Sequence, residues 1–275
     1  MKKQRIWTVL LIALFLVGLS LLLYPPFSSY WNSLHQSRAI AGYLDSVDQL
    51  DSARCQELLA QADAYNAELA RAGGGFLLTE EEQARFLSQL EADGGAVGYL
   101  EVPAIELRLP LYLGTSEGVL QAGAGVLEGG SLPVGGESTH AVITGHRGLP
   151  SKTLFTHLDR LEAGDTFTIH VLDRAVRYEV EQVLIVTPTE LDALAIRPGE
   201  DLCTLVTCTP YGINTHRLLV QGRRVLRAAT AARPVSADAA QVSPTATAAV
   251  IFTPILLVTL LAASALTRPR RPEAF

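Results

Sequence analysis

Residues 204–224 read TLVTCTPYGINTHRLLVQGRR. Thr204 to Cys208 is a short run of β-branched and apolar residues ending in a thiol. Pro210-Tyr211-Gly212 turns the chain, and a second apolar run starts at Thr215 or His216 with Arg217 near its beginning. The pattern predicts two adjacent strands whose ends bring the Cys208 thiol and the Arg217 guanidinium together. His216 belongs on the opposite face from Arg217, because side chains alternate along a strand.

The same texture runs from Val97 to about Leu226. GYLEVPAI (98–105), LRLPLYLG (107–114), HAVITGH (140–146), DTFTIHVL (165–172), RYEVEQVLIV (177–186), LCTLVTC (202–208) and HRLLVQGRRV (216–225) are short β-rich runs separated by Gly, Pro and Asp. Such spacing predicts a mainly β fold that closes into a barrel. Glu190 to Ala195 reads as a small helical turn before Arg197-Pro198-Gly199. No internal repeat is visible.

The second informative window is VITGHRG, Val142 to Gly148. An apolar strand reaches His146 between two glycines, which free the loop to turn the imidazole inward. A cysteine attacks an amide as thiolate, and a neighbouring imidazole can stabilise the thiolate and later protonate the leaving amine. A fixed cation in a dry site stabilises the oxyanion of the tetrahedral intermediate. Cys208, His146 and Arg217 supply those three groups. Cys203, inside the same apolar strand, and Cys55, on the N-terminal helix, read as structural thiols. The histidines and cysteines show neither HExxH nor CxxC spacing, so no metal or other cofactor is expected.

TLVTC followed by TPYGINTHR resembles the TLxTC segment and downstream arginine of sortases, and VITGHRG resembles their histidine loop. The resemblance covers about Gly94 to Leu226 and implies the sortase β-barrel with Cys208, His146 and Arg217 as catalytic residues. TCTPYGINTHRLLVQGRR, a long N-terminal helical extension, GYLEVPAI entering the barrel and a second apolar span make the chain most similar to class C, the pilin-polymerising enzymes of the Gram-positive cell wall. Such a resemblance implies exported pilin or surface proteins with an LPXTG-like signal as substrates, cut between Thr and Gly. The acceptor it implies is a pilin lysine or, alternatively, a cell-wall peptide amine. Thr207, beside the nucleophile, is a candidate for shaping the peptide site. The stretch AGGGFLLTEEE (72–82) lacks the Asp-Pro-aromatic lid motif that class C enzymes often carry; Phe76 is a candidate plug, against the plainer reading of a linker between helices. A catalytically silent pilin-binding scaffold and a cysteine protease are the other functional readings.

Ile6 to Leu23 is an uninterrupted apolar run long enough for a bilayer core, preceded by Lys2, Lys3 and Arg5. A cleavable signal peptide competes, but the run exceeds a usual signal core, and Leu-Tyr-Pro-Pro-Phe follows instead of a small-residue cleavage site. Ala249 to Leu266 is a second candidate span, followed by Arg268, Arg270 and Arg271. Basic flanks on the outer side of both spans predict cytoplasmic termini and an extracellular middle. The predicted organisation is then an anchor (1–24), a helical extension with a candidate lid (25–93), the barrel (94–227), an Ala/Thr/Ser/Pro-rich tether (228–248), and a second span with a basic tail (249–275). The two tails carry +3 and +2 of a chain whose net charge is −6, so the middle carries −11, which argues against nucleic acid as a partner. Within the helical extension, apolar residues at steps of 3 and 4 predict one helix from about Leu34 to Arg71, ended by Gly73-Gly74-Gly75. Thr79 and Glu82 have capping-box spacing for a short helix to about Leu90, closed by Asp93-Gly94-Gly95.

Overall fold

The computed structural model describes residues 2–90, 95–149 and 152–225, together with Thr253 and Leu256. Eight strands close into one barrel: β1 (Gly98–Val102), β2 (Leu107–Leu113), β3 (Ala124–Val126), β4 (Thr139–Thr144), β5 (Thr166–Val171), β6 (Arg174–Val186), β7 (Asp201–Thr209) and β8 (His216–Arg224). Their order around the barrel is β1-β2-β3-β4-β7-β8-β6-β5. Seven of these coincide with the runs read from the sequence. The eighth, β3, has only the residues Ala-Gly-Val, too short for any alternation to register. It nonetheless joins β2 in parallel to β4 in antiparallel and so completes the wall.

Alternation along the strands sorts two apolar layers. Ala141, Ile143, Cys203, Leu205, Leu218 and Val220 point into the barrel with Leu100, Leu109, Phe167 and Tyr178. Val142, Val206 and Leu219 point outward and form a second cluster with Leu194, against which Phe76, Leu127, Leu184, Val186 and Ala193 pack. The barrel is therefore apolar on both sides of the β4-β7-β8-β6 wall, and the outer patch is the one that leads to Cys208.

The helical extension departs from the sequence expectation. α1 runs unbroken from Lys2 to Gln49, through Pro25 and Pro26. Proline's fixed φ is compatible with a helix, but each ring removes a ladder donor and crowds the carbonyl four residues back, so the pair weakens α1 here without ending it. No helix boundary therefore falls at residue 24. The single helix expected to Arg71 is instead broken at Leu50-Asp51, where Asp51 takes an extended conformation and its side chain accepts from Arg54 N at 2.6 Å. That N-cap starts α2 (Ser52–Ala72), which ends, as expected, at Gly73 with φ +87°. α3 (Glu80–Leu87) carries the Thr79/Glu82 capping box and stops a few residues short of Leu90.

Ile40 and Tyr43 of α1 pack on Ala96 and Tyr99, and Tyr43 Oη accepts a hydrogen bond from Leu172 N at 2.6 Å. Burial pushes that phenol up to about 12. From α2, Asn66 clasps Leu132, giving Nδ2 to its carbonyl at 3.0 Å and taking its N–H at 2.7 Å. Among the described residues α1 is the one helix long and apolar enough to cross a membrane; its most apolar window has a mean hydropathy of 2.3 and no buried residue. The expected tether, second span and basic tail lie outside the described residues, apart from Thr253 and Leu256.

Candidate active site

β7 lies between β4, with which it runs parallel, and β8, with which it runs antiparallel. On the β8 side Cys208 is paired with Arg217. On the β4 side the register ends with Thr144 opposite Val206, and two further residues on each chain bring His146 level with Cys208. Two hydrogen bonds hold the chains together past the strand end: Gly145 N donates to Val206 O at 3.1 Å, and Thr207 Oγ1 to Gly145 O at 2.8 Å. Cys208 and Arg217 are on the face that carries Val206 and Leu219, by alternation from those two residues. All three side chains are half-buried.

The glycines of the histidine loop serve two different ends. Gly148 has φ +83°, a left-handed conformation that favours glycine. Gly145 has no such φ; a Cβ there would lie 2.8 Å from the Phe155 ring. Phe155 N also donates to His146 O at 3.1 Å, so the ring and the loop backbone are locked together. Arg147 fastens the loop from the other side. Its Nη2 donates to Asp159 at 2.6 Å and its Nη1 reaches Thr209 Oγ1 at 3.4 Å, tying the residue after His146 to the residue after Cys208.

Arg217 Nη1 donates to the backbone carbonyls of Asn214 (3.3 Å) and His216 (3.1 Å). Among the described residues it has no carboxylate partner, so its charge stays available to an anion at the thiol. His216, as expected, turns away and is exposed. Cys203 is fully buried in the core, where burial pushes its thiol well above the ordinary range, and Cys55 is buried on α2. Both match the structural role read from the sequence.

Thr207 departs from its expected role. It is 1% exposed, and its hydroxyl is spent on Gly145, so it braces the loop instead of facing a peptide. Phe76 packs on the outer cluster with Val142, Val206 and Leu219, on the same face as the thiol. Gly75 and Phe76 pass so close to Gly129 that a Cβ there would lie 2.2 Å from Gly75 O, which pins this segment to the barrel. Sequence reasoning missed Arg147, Asp159 and Glu117, whose Oε2 lies 3.6 Å from His146 Nε2. No spacing pattern joins these residues; only the folded loops do. Among the described residues no group of His, Cys, Asp and Glu is placed to hold a metal.

A family model described as Sortase domain matches residues 100–225. The crystal structure of sortase C1 from Streptococcus agalactiae is 48% identical, with a TM-score of 0.67, over 68% of this chain and 98% of that one. The chain belongs to the sortase family. Sortase C of Streptococcus pneumoniae is similar at 45% identity and a TM-score of 0.63, over 68% of this sortase and 96% of that one. Sortase A of Bacillus anthracis is 25% identical over 81% of the chain and 96% of its own length. The barrel and extension are thus of class C type, and the sortase is a cysteine transpeptidase.

Proposed function

We propose that this sortase cleaves an LPXTG-like signal between Thr and Gly and transfers the acyl group to an amine, a pilin lysine. The observation that carries the reading is the placement of Cys208 between His146 and Arg217 at the edge of an apolar outer patch. The Cys208 thiolate attacks the Thr carbonyl carbon, and Arg217 stabilises the oxyanion that develops. As the carbon–nitrogen bond breaks, His146 gives its proton to the departing glycine amine. The acceptor amine then attacks the thioester, His146 takes its proton, and the thiolate leaves. One amide bond is broken and one formed, so the free energy of the first is kept and no nucleotide is consumed. The floor formed by Val142, Val206 and Leu219 suits the apolar residues of the signal, and Phe76 covers part of it as a plug. The S. pneumoniae relative has been studied for its pilin substrate specificity, which supports a pilin as partner here.

The apolar N-terminal half of α1 anchors the enzyme, and the sequence from Ala249 to Leu266 is long and apolar enough to serve as a second anchor, the basic flanks of both runs supporting cytoplasmic termini. Confining enzyme and tethered substrates to one surface raises their effective concentration.

The test is intact-mass spectrometry after incubation with an LPXTG-like peptide. A thioacyl adduct should form with the native chain and be absent in Cys208→Ala. A missing adduct together with a thiol inert to a small alkylating reagent would sink the reading in favour of a silent scaffold. Ladders of a pilin indicate polymerisation, and single wall-peptide adducts indicate anchoring.

A further inference from the structure

Among the described residues one carboxylate, that of Glu117, comes within 4 Å of the His146 imidazole. Glu117 opens α4 (Glu117–Ala122), directly after the Ser116 cap. His146 Nε2 is buried without a hydrogen-bond partner inside 3.5 Å, and Glu117 Oε2 stands just beyond that limit at 3.6 Å. The Glu117 side chain is 74% exposed, but its carboxylate has a second partner. One turn along α4, Gln121 Nε2 donates to Glu117 Oε1 at 2.8 Å. Lys152, a few residues after His146 on the same loop, donates Nζ to Gln121 O at 2.6 Å and to Gln121 Oε1 at 3.0 Å. One carboxylate oxygen is therefore held, and the other is presented to the ring. The Gln121 hydrogen bond first, and the charge of His146 after it, hold this carboxyl below the usual range, so it is anionic wherever the enzyme would work.

We propose that Glu117 is a positioning residue for the transpeptidation, fixing the orientation and proton of His146. With an Nε2–H facing Glu117, the nitrogen left to exchange protons with the thiol, the leaving amine and the acceptor amine is Nδ1. A carboxylate 3.6 Å from Nε2 attracts the positive charge that the ring carries in the first half-reaction. This rests on His146 being the acid/base of the proposed function. The other charges near the ring are the thiol of Cys208, the Arg217 guanidinium beyond it, Arg147 and Lys152. Arg147 is engaged by Asp159 and Thr209 and Lys152 by Gln121; among the described residues Glu117 is the carboxylate that comes within 4 Å of the imidazole.

The experiment measures the rate of acyl-adduct formation against pH, by intact mass on the full chain in detergent micelles at low salt. Glu117→Gln keeps the shape and the Gln121 contact but removes the charge. Its profile should move toward acid by roughly half to one pH unit, as expected for an opposite charge lost at this range in a solvent-exposed setting. Its melting temperature should stay near that of the native chain. Glu117→Asp, which keeps the charge, should lie between the two. A Glu117→Gln profile superimposed on the native one overturns the inference while leaving the catalytic assignment standing, provided His146→Ala is inactive. Native-rate adduct formation by His146→Ala overturns the assignment itself, and the role of Glu117 with it.

Discussion

Arg217 gives one nitrogen, Nη1, to the backbone carbonyls of Asn214 and His216, and the remaining N–H groups are what an oxyanion or a peptide carbonyl would meet. A lysine offers one compact charge and cannot span both sets. Arg217→Lys should therefore lower kcat/KM for acyl transfer by about a hundredfold or more; turnover near the native value would exclude the guanidinium from the reaction. A second prediction at this scale concerns Gly145. An added methyl would run into the Phe155 ring at 2.8 Å, and the loop carrying His146 would have to shift. Gly145→Ala should cost about 1–3 kcal/mol of stability by denaturant unfolding and slow adduct formation, whereas an unaltered rate would show that the loop absorbs the methyl elsewhere. These residues differ in how they could be found. Cys208 and Arg217 were legible because a strand, a turn and a strand force them together within ten residues. His146 was legible because its flanking glycines mark a functional loop. Glu117, on α4, and Arg147 meet their partners across segments far apart in the chain, which no local pattern encodes.

The wall formed by β4, β7 and β8 positions the site, and one buried histidine lies at the end of that wall away from Cys208, opposite Leu202. His140 of β4 is fully buried, with Nδ1 2.9 Å from Ala195 O and Nε2 2.7 Å from Thr204 Oγ1. A neutral ring satisfies both, donating through Nδ1 and accepting the threonine hydroxyl at Nε2. Burial is the largest cause that holds its pKa below that of an ordinary histidine. The unfolded chain therefore binds the proton more readily. The stability from His140 is full above about pH 6.5 and is lost as pH falls toward the lower folded value. His157 and His170 are lowered in the same direction by burial, so the native slope is a sum. In His140→Gln the fall of the melting temperature between pH 7 and pH 5 should be shallower than in the native chain; an unchanged slope would remove His140 from the balance. At the scale of elements the strands were readable in two ways: β5 alternates buried and half-buried residues, and β7 is a continuous apolar run buried on both faces. The three-residue β3 and the break at Asp51 were not. The first is held by its neighbours' hydrogen bonds, and the second interrupts a periodic pattern that reads as continuous on either side.

At the scale of the whole chain, α1 is both candidate anchor and part of the folded unit. From Leu23, where the apolar run ends, to Ile40, where packing on the barrel begins, an α-helix extends about 25 Å. A stiff helix of that length would hold the thiol at a set height above the bilayer, where a tethered signal has to reach it. The height can be set only if the helix is joined rigidly to the barrel, and the contacts show how. Ile40 and Tyr43 are almost completely buried against Ala96 and Tyr99, with Leu44 and Val47 beside them, and Tyr43 caps the N–H of Leu172 beyond β5. Burying two such side chains contributes about 1.5–3 kcal/mol each. A soluble chain spanning residues 37–226 should therefore be more stable to urea than one spanning 50–226 by about 3–6 kcal/mol. The shorter chain should also lose its adduct-forming rate at lower temperature. Equal urea midpoints would mean that the α1 contacts add nothing to the barrel, and the helix would then act as a loose leash instead of a strut.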